Sequence, residues 1–298
     1  MHRLPRYSSS ILSVALIASP GVYIWHTAGQ QTNTKTTNVM TVGPTFQTLF
    51  AVPMTCDGCV KDISEALYKL KGISKVEANL QDQLVSVEGT VAPSAIVQAI
   101  QATGRDAILR GTGASNSAAV SILESYHLLG RKPIPAGPSD AVDEGARNVR
   151  GLARMVQVAP SLTLVDLTLR GISPGTYRAT IREYGDLKDG ASSTGPIWAS
   201  KTPGSKPRGL LGTVQVGKDG RGSAFLDSPF QVWEVIGHAM VVSKQDESDG
   251  KPLKNDEDTV VGVIARSAGV WDNDKTVCSC TGKTLWEERE EEVKKGML

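Results

Sequence analysis

Met54-Thr55-Cys56-Asp57-Gly58-Cys59 lies between an apolar segment and a run of residues with helical spacing. Residues 45–52 have the composition of a short strand, and apolar side chains recur at three- or four-residue intervals over residues 59–71, where Gly72 ends the pattern. A strand-to-helix turn allows Cys56 and Cys59 to direct both sulfurs at one ion. The stretch therefore predicts a small α+β domain with a thiol pair at its surface.

The residues after this helix continue the same domain. Two further strands are expected over residues 73–79 and 84–88, a second helix begins at Pro93, and a last strand covers residues 107–109. The resulting order is βαββαβ, which is typical of a ferredoxin-like fold.

Composition restricts the class of protein. A chain of 298 residues is long enough for more than one domain, and its 32 basic residues almost balance its 31 acidic ones, so no nucleic-acid partner is expected. All four cysteines fall in two close pairs, Cys56 with Cys59 and Cys278 with Cys280. Because none is left over for a structural disulfide, a reducing compartment is favoured.

Residues 1–39 have the composition of a targeting segment. They carry Arg3 and Arg6 and an apolar run from Ile11 to Trp25. This run is shorter than the roughly 20 residues that a membrane-spanning helix needs, so stable membrane insertion is not expected. The alternative is an upstream extension that is not used, with translation starting at Met40. The expected location is the cytoplasm, with a second pool in the mitochondrial intermembrane space.

A glycine- and serine-rich linker at residues 111–116 separates the first domain from a segment rich in short strands. Eight strands predict a Greek-key β-sandwich or barrel. They are expected at residues 118–126, 149–158, 162–169, 177–183, 211–216, 222–226, 239–243 and 260–265.

Four segments follow from this pattern. We expect a leader at residues 1–39, the βαββαβ domain at 40–112, the strand-rich domain at 113–270 and an extended tail at 271–298. The tail has little apolar periodicity and ends in a charged run with the spacing of a solvated helix.

Two closely spaced thiolates suit copper(I), which is a soft ion. A thioredoxin-like dithiol is the alternative for Cys56 and Cys59, but it belongs to a larger fold. Structural zinc needs four ligands, and two are missing here. Met54 is expected to be a core residue below the loop and not a third ligand.

Three parts of the chain resemble known families. Met54, Cys56 and Cys59 resemble the MxCxxC motif of heavy-metal-associated copper carriers. Residues 182–186, 193–196 and 261–265 resemble copper-zinc superoxide dismutase. Cys278-Ser279-Cys280, followed by Trp286-Glu287-Glu288-Arg289, resembles the third segment of the fungal-type copper chaperones for that dismutase.

The resemblance implies that the dismutase-like domain has no enzymatic activity, because other residues occupy the positions of the metal ligands. His127 and His238 are expected to be ordinary structural histidines. The dismutase metal-ligand positions carry Thr180, Arg182, Ile197, Leu210 and Ser243, and Ala191 and Val261 stand near the positions of the disulfide cysteines.

The resemblance also implies a surface for the partner. A domain shaped like one dismutase subunit can replace that subunit in a two-fold pair, which predicts a heterodimer with copper-zinc superoxide dismutase and, as a second state, a homodimer. The expected interface residues are Gly151, Arg154, Arg266, Gly269 and Trp271.

The resulting hypothesis is a metallochaperone. Cys56 and Cys59 acquire copper(I), and the dismutase-like domain docks the target. Cys278 and Cys280 are also expected to bind copper(I), and they promote copper insertion and disulfide formation in the target. A thiol-disulfide oxidoreductase and a copper(I) buffer without a dedicated partner are the alternatives.

Overall fold

The computed structural model describes residues 44–127, 148–198, 207–246, 252–273 and 282–294. The predicted leader at residues 1–39, the alternative start at Met40, and the tail cysteines Cys278 and Cys280 lie outside these residues. No helix within the described ranges is long and apolar enough to cross a membrane.

The first domain has the predicted βαββαβ order. Its four strands form one antiparallel sheet in the order β2-β3-β1-β4, and its two helices cover one face of that sheet. This is the ferredoxin-like arrangement that the sequence predicts. The elements are β1 (Phe46–Ala51), α1 (Asp57–Tyr68), β2 (Ile73–Asn79), β3 (Leu84–Gly89), α2 (Pro93–Gln101) and β4 (Ile108–Thr112).

Helix α1 differs from its prediction at both ends. It begins at Asp57, two residues before the predicted start, because the Cys56 carbonyl already accepts hydrogen bonds from the Cys59 and Val60 N–H groups. It ends at Tyr68 and not at residue 71. Gly72 has a φ of 100°, a left-handed conformation that carries the chain out of the helix and into β2.

The second domain is a closed barrel. Eight strands follow one another in the order β5-β6-β7-β10-β9-β8-β11-β12, and β12 pairs with β5 to complete the ring. The neighbours β7–β10 and β8–β11 are not consecutive in the chain, which is Greek-key connectivity. The strands are β5 (Ala118–Ser125), β6 (Asn148–Ala159), β7 (Leu162–Arg170), β8 (Gly175–Ile181), β9 (Leu210–Val216), β10 (Arg221–Ser228), β11 (Ala239–Ser243), β12 (Val260–Val263) and β13 (Ala265–Ser267).

All eight predicted barrel strands are present, and the last one is divided. Ile264 separates β12 from β13, because its buried side chain enters the core and its N–H donates to the His238 carbonyl. A 3-10 turn (Gly190–Ser193) and helix α3 (Val232–Val235) lie in the connections and were not predicted. Helix α4 (Leu285–Lys294) is the expected charged helix of the tail, with a Lys294–Glu290 ion pair at 2.7 Å.

Each domain has its own apolar core. In the first, Phe50, Ile63 and Ile100 are fully buried between helices and sheet, and in the barrel Tyr177 and Leu167 are buried inside the ring. Burial of each such side chain stabilises the folded state by about 1.5–3 kcal/mol.

The two domains meet along the outer side of the barrel. The Asp166 carboxylate of β7 accepts hydrogen bonds from the backbone N–H and the hydroxyl of Ser94, in the first turn of α2. Gly111 lies in β4 and not in the predicted linker, and it is so close to Gly269 that a Cβ on Gly111 would be 2.1 Å from the Gly269 carbonyl oxygen. Only glycine fits at this position without a shift of the backbone.

Candidate metal centre

The two cysteines of the first domain lie at the N-terminal end of α1. Cys56 is the residue before the helix, with an extended backbone at φ −159°, and Cys59 is in the first turn. Cys56 is exposed, Cys59 is buried, and their sulfurs are 3.5 Å apart. The helix starts inside the motif, so both thiols face the positive end of the helix dipole.

This environment favours the thiolate form of Cys59. The backbone and hydroxyl of Thr55 lower its pKa, the Arg105 guanidinium and the Cys56 thiol add to the effect, and burial opposes it, so that the pKa is about 6. The Thr55 hydroxyl lies 3.5 Å from the Cys59 sulfur. Cys59 is therefore mostly ionised at neutral pH, and the thiolate is the form that binds metal.

Arg105 is a site residue that the sequence prediction missed. Its guanidinium interacts with the Cys59 thiol, and this interaction is the main reason that the pKa of Arg105 is raised. Its Nη2 also lies 3.2 Å from the Asp62 carboxylate of α1. Arg105 follows Gly104, which has a φ of 81° and ends the turn after α2. The sequence shows a basic residue directly after a glycine that ends a helix. Nothing in the neighbouring residues indicates that its side chain reaches the metal loop.

Met54 is buried in the core of the first domain, together with Ile63 and Leu67. Its position agrees with the expectation that it anchors the loop from below. The arrangement therefore offers two sulfur ligands, one of them at the surface, where a soft ion can enter and leave. Within the described ranges, no three His, Cys, Asp or Glu side chains converge in a way that could hold a metal ion.

The residues that we expected at the metal-ligand positions of a dismutase make contacts within the barrel. Arg182 is buried and donates from Nη2 to the Gly195 carbonyl at 2.5 Å, while its own carbonyl accepts from Nδ1 of His238 at 2.6 Å. Thr180 donates to the Val241 carbonyl. The remaining positions also lie within the fold: Ser243 contacts Thr259, Leu210 pairs with Thr180, and Ile197 forms a bridge with Arg182.

Comparisons with known proteins agree with both halves of this architecture. Residues 48–106 match the heavy-metal-associated domain family, and residues 149–266 match the copper/zinc superoxide dismutase family. The chain is 43% identical to the superoxide dismutase 1 copper chaperone of Debaryomyces hansenii, over 85% of this chain and 98% of the relative. It belongs to the family of copper chaperones for superoxide dismutase.

Two further relatives are also copper chaperones for superoxide dismutase. The chaperone is 40% identical to the superoxide dismutase 1 copper chaperone of Saccharomyces cerevisiae, over 85% of this chain and 97% of the relative. It is 35% identical to the copper chaperone for superoxide dismutase of Homo sapiens, over 80% of this chain and 88% of the relative. The similarity therefore includes both domains.

The predicted interface residues occupy different environments in the chaperone. Arg266 and Trp271 are exposed, with Trp271 at 60%. Gly151 is buried inside the barrel, where a Cβ would be 2.8 Å from the Leu169 side chain. Arg154 and Gly269 lie at the contact between the domains of the chaperone itself, Arg154 with an Nη1 atom 3.6 Å from the Asp166 carboxylate.

The outer side of the barrel also carries exposed apolar side chains that the sequence prediction missed. Ile122 of β5 is 51% exposed, and Val263 of β12 is 37% exposed. The half-buried Leu152 of β6 lies directly opposite Ile122, so both side chains share one face of the sheet. We call Ile122, Leu152 and Val263 the apolar face. Alternation along β5 was the signal, since every second residue there points outward.

Proposed function

We propose that the chaperone binds copper(I) through Cys56 and Cys59 and transfers it to copper-zinc superoxide dismutase. The observation that carries this proposal is the sulfur pair, 3.5 Å apart, with the pKa of Cys59 lowered to about 6. A thiolate pair at the surface binds a soft ion and still leaves room for thiols of an acceptor. Arg105 stabilises the negative charge of the Cys59 thiolate in the metal-free protein.

The apolar face is the surface that we assign to the dismutase subunit. Exposed Ile122 and Val263 offer a contact of the kind that forms the dry centre of a protein interface, and exposed Arg266 and Trp271 supply typical anchor residues. The partner is a single subunit in a heterodimer. A homodimer through the same face is the expected state when the target is absent.

We assign the disulfide step to Cys278 and Cys280. A target thiolate attacks a Cys278–Cys280 disulfide, which forms a mixed disulfide and releases one tail thiolate. The second target thiolate then displaces the other tail sulfur. The target ends as a disulfide and the tail as a dithiol, so two electrons pass from the target to the tail. Molecular oxygen, or another oxidant that converts dithiols to disulfides, then reoxidises the tail.

The barrel serves recognition and not superoxide chemistry in this proposal. Its dismutase-like positions hold side chains such as Arg182 and Thr180, which make hydrogen bonds within the barrel. Superoxide removal by the copper-loaded protein is the measurement that would contradict this part of the proposal.

The central experiment mixes the copper(I)-loaded chaperone with metal-free, reduced dismutase. Complex formation on a sizing column, copper on the dismutase and the disulfide state of the dismutase are measured in the same sample. We expect a one-to-one complex, copper transfer and oxidation of the target. A Cys56→Ser, Cys59→Ser variant is expected to lose copper acquisition, and a Cys278→Ser, Cys280→Ser variant to lose delivery while it still forms the complex.

Unchanged loading of the dismutase by the Cys278→Ser, Cys280→Ser variant would remove the tail from the mechanism. A matched control is Ser74→Ala, which removes an exposed hydroxyl from β2 and leaves all four thiols in place. This control separates thiol chemistry from general damage to the first domain.

A thiol-disulfide oxidoreductase is the second candidate, because the lowered pKa of Cys59 also suits an attacking thiol. Such an enzyme would turn over unrelated disulfide substrates, whereas a chaperone acts on its own target. A copper(I) buffer would bind the metal and form no complex with dismutase. Turnover on unrelated disulfide peptides and the sizing experiment therefore distinguish the three functions.

We also propose that the chaperone works in the cytoplasm, with a second pool in the mitochondrial intermembrane space. All four cysteines belong to two close pairs, which is a pattern typical of a reducing compartment. Cell fractionation of the full chain and of a variant starting at Met40 tests the location. We expect both in the cytoplasm and only the full chain in mitochondria, and secretion of either form would contradict the proposal.

A further inference from the structure

Helix α4 of the tail is joined to the copper-binding domain by an ion pair. Arg289 donates from Nε to one oxygen of Asp106 at 2.5 Å and from Nη2 to the other at 2.8 Å. The two residues are 183 positions apart in the sequence. A bidentate pair of this kind fixes direction as well as distance, which a single lysine contact does not.

Asp106 is the residue after Arg105, whose positive charge acts on the Cys59 thiol and whose Nη2 lies 3.2 Å from Asp62 of α1. Two successive side chains therefore face two different parts of the chain, Arg105 toward the copper site and Asp106 toward the tail. Burial acts to raise the pKa of Asp106, but hydrogen bonds from Arg289 and Gln101 lower it more, so the carboxylate is ionised and ready to pair.

Arg289 is also close to the contact between the two domains. Burial lowers the pKa of Arg154, and the nearby positive charge of Arg289 lowers it further, while Asp166 acts in the opposite direction. Asp166 in turn accepts the hydrogen bonds from Ser94. The tail helix, the copper-binding domain and the barrel therefore meet within one group of charged side chains.

Helix α4 needs contacts with the rest of the protein for its stability. It has ten residues, and isolated helices shorter than about 12 residues are marginal in water. Thr284 and Glu287 cap its start, since the Thr284 N–H and hydroxyl donate to Glu287 and the Glu287 N–H donates to the Thr284 hydroxyl. The cap defines where the helix begins, but it does not hold the helix against the rest of the protein.

We propose that Arg289 and Asp106 are positioning residues, which dock the C-terminal helix beside the copper loop and hold the end of the tail there. Cys280 is five residues before the helix in the sequence. A docked helix would therefore tether the tail thiols to the copper-binding domain by a short stretch of chain. This inference rests on the proposed function, in which the tail thiols complete copper delivery.

Hydrogen exchange of the backbone amides at residues 285–294 tests docking without copper or dismutase. In the full chain, Arg289→Glu or Asp106→Arg is expected to raise the exchange rate about fivefold, the size of effect typical of a strong partly exposed ion pair. The combined Arg289→Glu, Asp106→Arg variant is expected to restore slow exchange. Lys294→Gln breaks an exposed pair on the same helix and is the matched control, with less than about a twofold change expected.

Exchange in Arg289→Glu equal to that of the unmodified chain would overturn the docking contact. The functional part is tested by copper delivery to metal-free dismutase, which is expected to be roughly fivefold slower in Arg289→Glu, with copper acquisition at Cys56 and Cys59 unchanged. Delivery at the full rate would overturn the positioning role. If Cys278→Ser, Cys280→Ser delivers normally, the proposed function of the tail fails, and the exchange result still decides whether the helix docks.

Discussion

The carboxylate of Asp166 in the barrel caps a helix of the other domain, because it accepts hydrogen bonds from the Ser94 N–H at 2.8 Å and from the Ser94 hydroxyl at 2.6 Å. Asp166 is almost fully buried, and Arg154 lies beside it. A helix cap is normally supplied by the residue just before the helix. Here it comes from 72 residues further along the chain, so the first turn of α2 depends on contact between the domains.

Loss of this cap should destabilise the protein. We expect Asp166→Ala to lower the free energy of unfolding by about 3 kcal/mol, since it leaves Arg154 buried without its partner charge. Ser94→Ala removes only one hydrogen bond and should lower it by about 1 kcal/mol. Urea unfolding measures both values. Asp227→Asn, at an exposed carboxylate in neighbouring β10, is the control and should change little.

A double substitution separates the ion pair from simple damage to the contact. Asp166→Leu with Arg154→Met should lose less stability than Asp166→Ala alone, because neither charge is then left unpaired. A larger loss in the double variant would contradict the role given to the pair.

The ionisation of Cys59 should depend on Arg105 and Thr55. Arg105→Gln and Thr55→Val are each expected to raise the Cys59 pKa from about 6 toward its ordinary value near 9. Alkylation of the metal-free protein by iodoacetamide between pH 5 and about 9 measures the change, since only the thiolate reacts. Lys61→Gln, at an exposed lysine on α1, is the control. A Cys59 titration that is the same in Arg105→Gln as in the unmodified chain would contradict the contact.

The apolar face should determine binding to dismutase. Ile122→Asp and Val263→Asp are each expected to weaken the complex roughly thirtyfold, because a central contact in an interface typically contributes 2 kcal/mol or more. Copper binding at Cys56 and Cys59 should be unchanged. Trp233→Ser alters an apolar side chain at α3 that is 62% exposed and lies outside the apolar face, and it is the control. Full-strength binding by both aspartate variants would assign the partner to another surface.

Acid stability should depend on Asp258. Burial acts to raise its pKa, but hydrogen bonds from Ser173, Lys244 and Tyr177 outweigh this and lower it to about 2. Because the folded pKa lies below the unfolded value near 4, the stabilisation is present above about pH 4 and is lost as the pH falls toward 2. A shift of this size corresponds to about 2 kcal/mol.

Urea unfolding between pH 7 and about 2 measures this contribution. Asp258→Asn should lower the free energy of unfolding by about 2 kcal/mol at neutral pH and should make stability less dependent on pH below about 4. Glu257→Gln changes the neighbouring carboxylate, which is 81% exposed, and is expected to leave the profile unchanged. If Asp258→Asn lowered the free energy of unfolding by the same amount at every pH, the charge of Asp258 would not be the cause of the acid sensitivity.

The parts of the structure that follow from local sequence were predictable. Alternation of apolar residues gave the strands of both domains, and Met54, Cys56 and Cys59 indicated the metal loop, because side-chain spacing directly reflects which face is buried. The start of α1 was wrong by two residues, since the Cys56 carbonyl acts as the first acceptor, and nothing in residue type signals this.

Contacts between distant segments could not be predicted in this way. Arg105 acts on Cys59 only because the turn after α2 packs beside the start of α1, and Asp166 reaches Ser94 only because the two domains meet. In the sequence, Arg154 is simply a basic residue in a strand, and its buried position beside Asp166 depends on which strands are neighbours in the barrel. Such positions are determined by packing and not by propensity.

Closure of the barrel by β12 and β5 limits the ways in which a partner protein can bind. The backbone groups of these strands pair with each other across the closing seam, so a second protein cannot extend this part of the sheet by adding a strand to it. Recognition of a partner has to rely on outward side chains such as Ile122, whose replacement leaves the backbone hydrogen bonds between the strands intact. Affinity for a target can therefore change by single substitutions while the scaffold persists.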